Sequence, residues 1–201
     1  MAFGTPLLLS GDMSGTLLSR VALQHDSAEM YQECMLQEVI DRWPKILPIH
    51  DFYPNVEGLC SLGREIPVPV ADGAEGFIDN LLVTDNAHLL IVETKLWRNP
   101  EAVRDVIAQI LQYAMAVSQL SLGEFENRLR RGDAESKRLE PDENVYQRAC
   151  TSFQRRADDF EDVFDRLRRN GEILLLIVAD SIRSSAERIV QWMNKEVRSA
   201  P

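Results

Sequence analysis

Residues 75 to 95, EGFIDNLLVTDNAHLLIVETK, place Asp79, Glu93 and Lys95 inside two apolar runs that otherwise read as strands. The runs are split by TDNA, in which Asp85 and Asn86 favour a turn. With the turn centred on Asn86, Asp79 falls directly across from Glu93. Opposed residues in an antiparallel pair have Cβ atoms about 4.5 to 5.5 Å apart, and residues two apart share a face, so Lys95 joins the two carboxylates. Like charges set opposite one another weaken a sheet unless something cationic offsets them. A hard divalent cation such as Mg2+ suits a carboxylate pair and keeps several waters, one of which Lys95 could hold or deprotonate. The plainer alternative is an exposed strand face with an ordinary Lys95 ion pair. Against that alternative, HLLIVETKLW is very apolar for a free surface strand.

The elements that must position these residues can be read on either side. SAEMYQECMLQEVIDRW, 27 to 43, has an apolar set at helical spacing that includes Met30, Cys34, Met35, Leu36, Val39, Ile40 and Trp43, and Pro44 and Pro48 end it. REIPVPV reads as a strand that Pro67 and Pro69 push to a sheet edge. After the second charged run, Asn99 as N-cap and Pro100 at the first helical position start a helix that reaches Leu120. The stretch from Gly123 to Pro141 reads as a charged loop, and Asn144 to Arg169 as one long helix closed by Asn170 and Gly171. EILLLIVAD has the continuous apolarity of a strand covered on both faces, and SSAERIVQWMNKEV reads as an amphipathic helix. Residues 1–26 read as an N-terminal arm or hairpin. Residues 27–201 then form a single α/β domain with a charged helical insertion at about 123–170.

At this point the pattern resembles a known family. Asp79, followed after thirteen residues by Glu93-Thr94-Lys95, is similar to the D...(D/E)-x-K signature of the PD-(D/E)xK nuclease superfamily, with Ile78 where proline is common. Gln109 and Tyr113 match the Q-x-x-x-Y that follows the ExK strand in the RecB-like and archaeal resolvase-like branches. ECMLQEVIDRWPKILP resembles the acidic helix that precedes the site, with Glu33 as the best match and Glu38 as the fallback. The resemblance covers about residues 27 to 117 and implies a restriction-endonuclease-like αβββαβ core, with a mixed central sheet flanked by helices.

It also implies a Mg2+-dependent nuclease, Mn2+ substituting, that hydrolyses DNA phosphodiester bonds with metal-activated water. Asp79, Glu93 and the Thr94 backbone carbonyl would bind the metal. Lys95 would position the water and stabilise charge on the phosphate, Gln109 would orient Lys95 or the phosphate, and Tyr113 and Glu33 would support them. The alternatives are a catalytically silent nuclease-fold module that binds or regulates, and the nuclease subunit of a larger defence or repair assembly.

Composition limits how DNA could be bound. A formal net charge of −10 is the reverse of what nonspecific phosphate contacts require, so DNA affinity must come from a local patch or a partner chain. Half of the 22 basic residues fall in 121–170, but acidic residues there are slightly more numerous, which reads as a mixed helical surface. A homodimer is compatible with the reading, because cutting two strands needs two sites. His25, His50 and His88 lack metal-ligand spacing, and Trp43, Trp97 and Trp192 read as core or interface anchors. Three widely spaced cysteines form no C-x-x-C pair, no run is apolar enough to span a membrane, and no signal peptide is present, which together suggest a cytoplasmic protein.

Overall fold

A computed structural model of the chain describes residues 7–9, 15–17, 33–96, 102–136, 139–154, 160–179 and 184–199. The chain divides into two units, 1–31 and 32–201. In the first, Leu7–Leu9 (β1) and Gly15–Leu17 (β2) pair antiparallel, with Leu8 opposite Thr16.

The second unit is α/β, with a four-stranded mixed sheet flanked by helices. Helix α1 (Glu33–Arg42) and the short α2 (Ile49–Phe52) precede β3 (Leu59–Pro69), β4 (Glu75–Thr84) and β5 (Leu89–Lys95). Helices α3 (Ala102–Gln119), α4 (Leu122–Leu129), α5 (Val145–Phe153) and α6 (Phe160–Arg169) lead to β6 (Leu174–Ala179) and α7 (Ser184–Ser199). The sheet order is β3-β4-β5-β6; the first three strands are antiparallel and β6 runs parallel to β5. Its two faces carry separate cores. Ile78, Leu81 and Ile91 pack with Ile110, Val117, Phe125 and Phe164 on one side, and Leu82, Leu90 and Val92 pack with Ile40, Leu47 and Ile49 on the other.

The turn between β4 and β5 is tightly specified. Ala87 N–H donates to the Thr84 carbonyl at 3.0 Å, and Thr84 and His88 are joined by Thr84 N–H to the His88 carbonyl and by His88 N–H to Thr84 Oγ1, both at 2.9 Å. Ala87 takes a left-handed φ of +69° to close it. Strand β3 lies at a sheet edge, where Pro67 and Pro69 are tolerated, but begins at Leu59, earlier than the proline-rich segment suggests. Its register shifts between Ser61 and Gly63, where Gly63 has a φ of +133°.

Four expectations are corrected. The segment after Gly123 is not a loop throughout: Ser121 and Glu124 form a capping box that starts α4. The long helix from Asn144 to Arg169 is two helices, because Gln154 adopts a left-handed φ of +52° and ends α5. Strand β6 is covered only in part, with Ile177 packed on one core and Leu174, Leu176 and Val178 on the other. It is the other edge of the sheet, and Leu175 is exposed. Helix α1 turns Gln37, Ile40 and Asp41 inward and leaves Met35 and Val39 exposed, as is Trp43 just past its end, so of the described residues in the expected apolar set only Ile40 is buried. Its buried polar groups explain this: Asp41 accepts a hydrogen bond from Ser61 Oγ, and the Gln37 carbonyl accepts one from Asn80 Nδ2 at 2.9 Å. The expected start of this helix at 27 and the Asn99-Pro100 cap lie outside the described residues. Among the described residues no helix is long and apolar enough to cross a membrane.

Candidate active site

The β4–β5 pairing follows the expected register from Val83 opposite Leu89 to Asn80 opposite Val92, and the ladder stops there. The next pair along would be Asp79 and Glu93. From this point β4 stays with β3, and β5 stays with β6. At the fork the Asp79 carboxylate supplies the acceptor that the parted strand no longer offers. Its Oδ2 accepts from both the backbone N–H and the hydroxyl of Thr94, each at 2.7 Å. Burial raises the Asp79 carboxyl above its usual range, against the lowering effect of these two bonds.

Glu93 is 4% exposed, and its Oε2 has no hydrogen-bond partner among the described residues. Burial first and the Asp79 charge second push its carboxyl up to about 8, with Lys95 acting in the opposite direction. Lys95 Nζ lies 3.0 Å from Glu33 Oε1, an atom that also accepts the Leu96 N–H at 3.0 Å. Glu33 thus caps the end of β5 from the first turn of α1 and holds the lysine. Glu38, the fallback, instead pairs with Arg42 one turn on, at 2.5 Å.

A half-buried and a buried carboxylate at the strand fork, the second with an orphaned oxygen, leave a local excess of negative charge that Lys95 only partly offsets. An oxygen-only donor set of this kind fits a hard divalent cation, which accepts one or two carboxylates and keeps its remaining waters. Among the described residues no three His, Cys, Asp or Glu side chains are arranged as a metal-holding group. The fit therefore rests on two carboxylates with backbone and solvent oxygen.

Helix α3 brings Gln109 and Tyr113 to the same end of the sheet. Gln109 Nε2 donates to Tyr113 Oη at 2.9 Å, and among the described residues this is its hydrogen bond, not one to Lys95. Tyr113 is buried, which raises its phenol, and the Glu93 and Asp79 charges add to that rise. Its ring rests on Gly76, where a Cβ would lie 2.7 Å from the ring Cε1.

One residue of this neighbourhood was not singled out by its sequence pattern. Glu65 on β3 is raised by burial and then by the Asp79 charge, while a hydrogen bond with the Gln37 side chain lowers it. Glu65 is also among the charges that raise Glu93. The available signal was a charged pair, Arg64-Glu65, within an otherwise apolar strand.

The insertion's arginines are largely committed to carboxylates. Arg128 and Arg131 both reach Glu75, Arg130 reaches Glu126, Arg148 reaches Glu143, and Arg168 and Arg169 share Asp165. Lys137, Arg138, Arg155, Arg156, Trp97 and His25 lie outside the described residues. Trp43 and Trp192 are exposed, not core anchors, and His88 Nδ1 contacts Asn86 Oδ1 at 3.0 Å within the turn. No protein-family model matches the chain, and neither a curated protein nor a solved structure gives a match.

Proposed function

We propose that this chain is a metal-dependent nuclease that hydrolyses DNA phosphodiester bonds, as its resemblance to the PD-(D/E)xK superfamily implies. The observation that carries the reading is the pairing of half-buried Asp79 with buried Glu93 at the strand fork, with Glu93 Oε2 unpartnered and Lys95 on the same strand. Asp79, Glu93 and the Thr94 carbonyl would hold Mg2+, with Mn2+ as a substitute. The ion, when bound, supplies Lewis-acid activation of water and neutralises charge on the phosphate.

Every other role falls to the chain itself. Thr94 fixes the Asp79 carboxylate in one orientation through two hydrogen bonds. Glu33 keeps the Lys95 ammonium at the end of β5, where it can meet a phosphate oxygen on which charge develops. Tyr113, braced by Gln109, rests on Gly76 within electrostatic reach of Glu93.

The net charge of −10 and the ion-paired arginines favour a second component in this reading. DNA affinity would come from a partner chain in a larger assembly, or from a second copy that also provides the second site for duplex cutting.

The test is calorimetric titration of Mg2+ and Mn2+ into the wild type and an Asp79→Ala, Glu93→Ala double variant, with plasmid and oligonucleotide cleavage measured on the same preparations. Metal binding and metal-dependent cutting that both vanish in the variant support the nuclease. Absence of both in the wild type selects the silent binding or regulatory module.

A further inference from the structure

Strand β3 contains an anomaly beside the site. Its pairing with β4 places Arg64 opposite Asn80 and Ile66 opposite Ile78. The position between them, Glu65 across from Asp79, is skipped in the ladder. There Glu65 takes a φ of +49°, in the left-handed region that a residue with a Cβ seldom occupies inside a strand. A glycine would adopt that conformation freely, as Gly63 takes a positive φ two residues earlier. Local distortions of this kind in strands cluster beside active sites, where they re-aim a side chain, and a strained residue is an observation from which function can be sought.

The distorted position lies across from Asp79, and the Glu65 carboxylate is within electrostatic reach of it. Glu65 is hydrogen-bonded by the side chain of Gln37, a buried residue of α1 whose own carbonyl is tied to Asn80. Asp79 is the foremost charge acting on Glu65, and Glu65 in turn acts on Glu93. The neighbouring Arg64 offsets this charge only weakly, as the smallest of the effects on Glu65, and its guanidinium is bound to Asp133 at 2.5 Å on the α4–α5 connection. A further acid is thus added, at a backbone cost, to a place that already holds Asp79, Glu93 and Glu33.

We propose that Glu65 is a positioning residue of the cation site, an outer carboxylate that accepts hydrogen bonds from the water shell of an ion held by Asp79 and Glu93. This rests on the metal-dependent reading above. A small hard cation binds through one or two carboxylates and keeps several waters, so an outer acceptor has defined partners without being a ligand. Outer partners of this sort typically change metal affinity by about 10- to 100-fold.

The experiment compares Mg2+ and Mn2+ affinity by calorimetry, and metal-free thermal stability, in the wild type, Glu65→Gln and Glu65→Gly. Both variants are expected to bind metal at least about tenfold more weakly. Metal-free Glu65→Gly is expected to melt above Glu65→Gln, because glycine removes the left-handed strain that glutamine keeps. Affinity within about twofold of wild type in a folded Glu65→Gln overturns the role of the carboxylate, even if Glu65→Gly is weakened. Wild-type protein that binds neither metal overturns the metal-dependent reading and this inference together, whereas wild-type binding retained in Glu65→Gln removes this inference alone.

Discussion

The Asp79 carboxylate holds both the N–H and the hydroxyl of Thr94 at the point where β4 and β5 part. The same side chain therefore closes a backbone vacancy and offers its remaining oxygen to the site. Asp79→Ala leaves the Thr94 N–H without its acceptor and should cost about 1–3 kcal/mol. Asp79→Asn keeps a carbonyl oxygen for that N–H and should cost less, while metal binding is lost in both. Urea denaturation beside metal titration separates the structural from the ionic role.

Glu93 sets a pH dependence whose sign is opposite to that of an ordinary ion-paired carboxylate. Its pKa rises from 4.5 to about 8 on folding, so between these values the folded chain holds a proton that the unfolded chain has released. Its contribution to stability is thus greatest below about pH 4.5 and declines as pH rises toward 8. Glu93→Gln should remove that part of the slope and stabilise the metal-free protein at pH 8 by about 1–3 kcal/mol. Saturating Mg2+ should flatten the wild-type slope in the same range. Melting temperatures from pH 5 to 8.5 with and without Mg2+ are the measurement, and a wild-type slope unchanged in Glu93→Gln would contradict it.

For Lys95 the expected losses of activity and stability diverge. Its ion pair with Glu33 is about a third exposed on each side, so Lys95→Ala should change stability by less than about 1 kcal/mol. Cleavage should drop by about 100-fold or more, the scale on which removal of an oxyanion-stabilising donor acts. Glu33→Gln, which frees Lys95 without removing it, should give an intermediate loss. Single-turnover cleavage rates distinguish the three proteins, and wild-type rates in Lys95→Ala would remove that residue from the mechanism.

Gly76 is the floor under Tyr113. A methyl group there would sit 2.7 Å from the ring Cε1 and 2.9 Å from Val70 Cγ1, so Gly76→Ala must displace one of them. The expected cost is about 1–3 kcal/mol, as for overpacking elsewhere. Breaking the Gln109–Tyr113 contact should also shift the tyrosine's ultraviolet absorbance. Circular dichroism in the near ultraviolet reads both.

Arg168 is the buried pin of the insertion. Its guanidinium donates to the Val117 and Leu120 carbonyls at 2.6 and 2.8 Å and to Asp165 at 2.6 Å, and it lies 5.5 Å from the centre of the Phe125 ring. Arg168→Ala leaves two carbonyls without their donor and Asp165 with Arg169 alone, and should cost about 3–5 kcal/mol. Because the pin ties α6 to the end of α3, the loss should appear in hydrogen exchange across α6 before the sheet opens.

What could be read from the chain follows from which interactions are local. The register that opposes Asp79 and Glu93 was legible, because a short turn between two apolar runs leaves few pairings that keep both faces buried. Glu33 could be picked out by its match to an acidic helix pattern, and the structure places it on Lys95. The inward face of α1 was not legible: Gln37 and Asp41 are buried by their bonds to Asn80 and Ser61, which are distant in sequence. Glu65 stayed hidden because alternation along a strand does not reveal a left-handed residue. The capping box at Ser121 and Glu124 was readable in principle, but Gly123 between them drew the segment toward a loop.

The left-handed Ala87 that closes the β4–β5 turn has a reach beyond the turn itself. Side chains alternate along a strand, so the turn acts as a ruler that decides which side of the sheet each later residue occupies. One residue added or removed between Thr84 and Leu89 would carry Glu93 and Lys95 to the far face together and bring Thr94 into their place. The acids and the lysine would all still be present in the chain, but Asp79 would be out of phase with the other two.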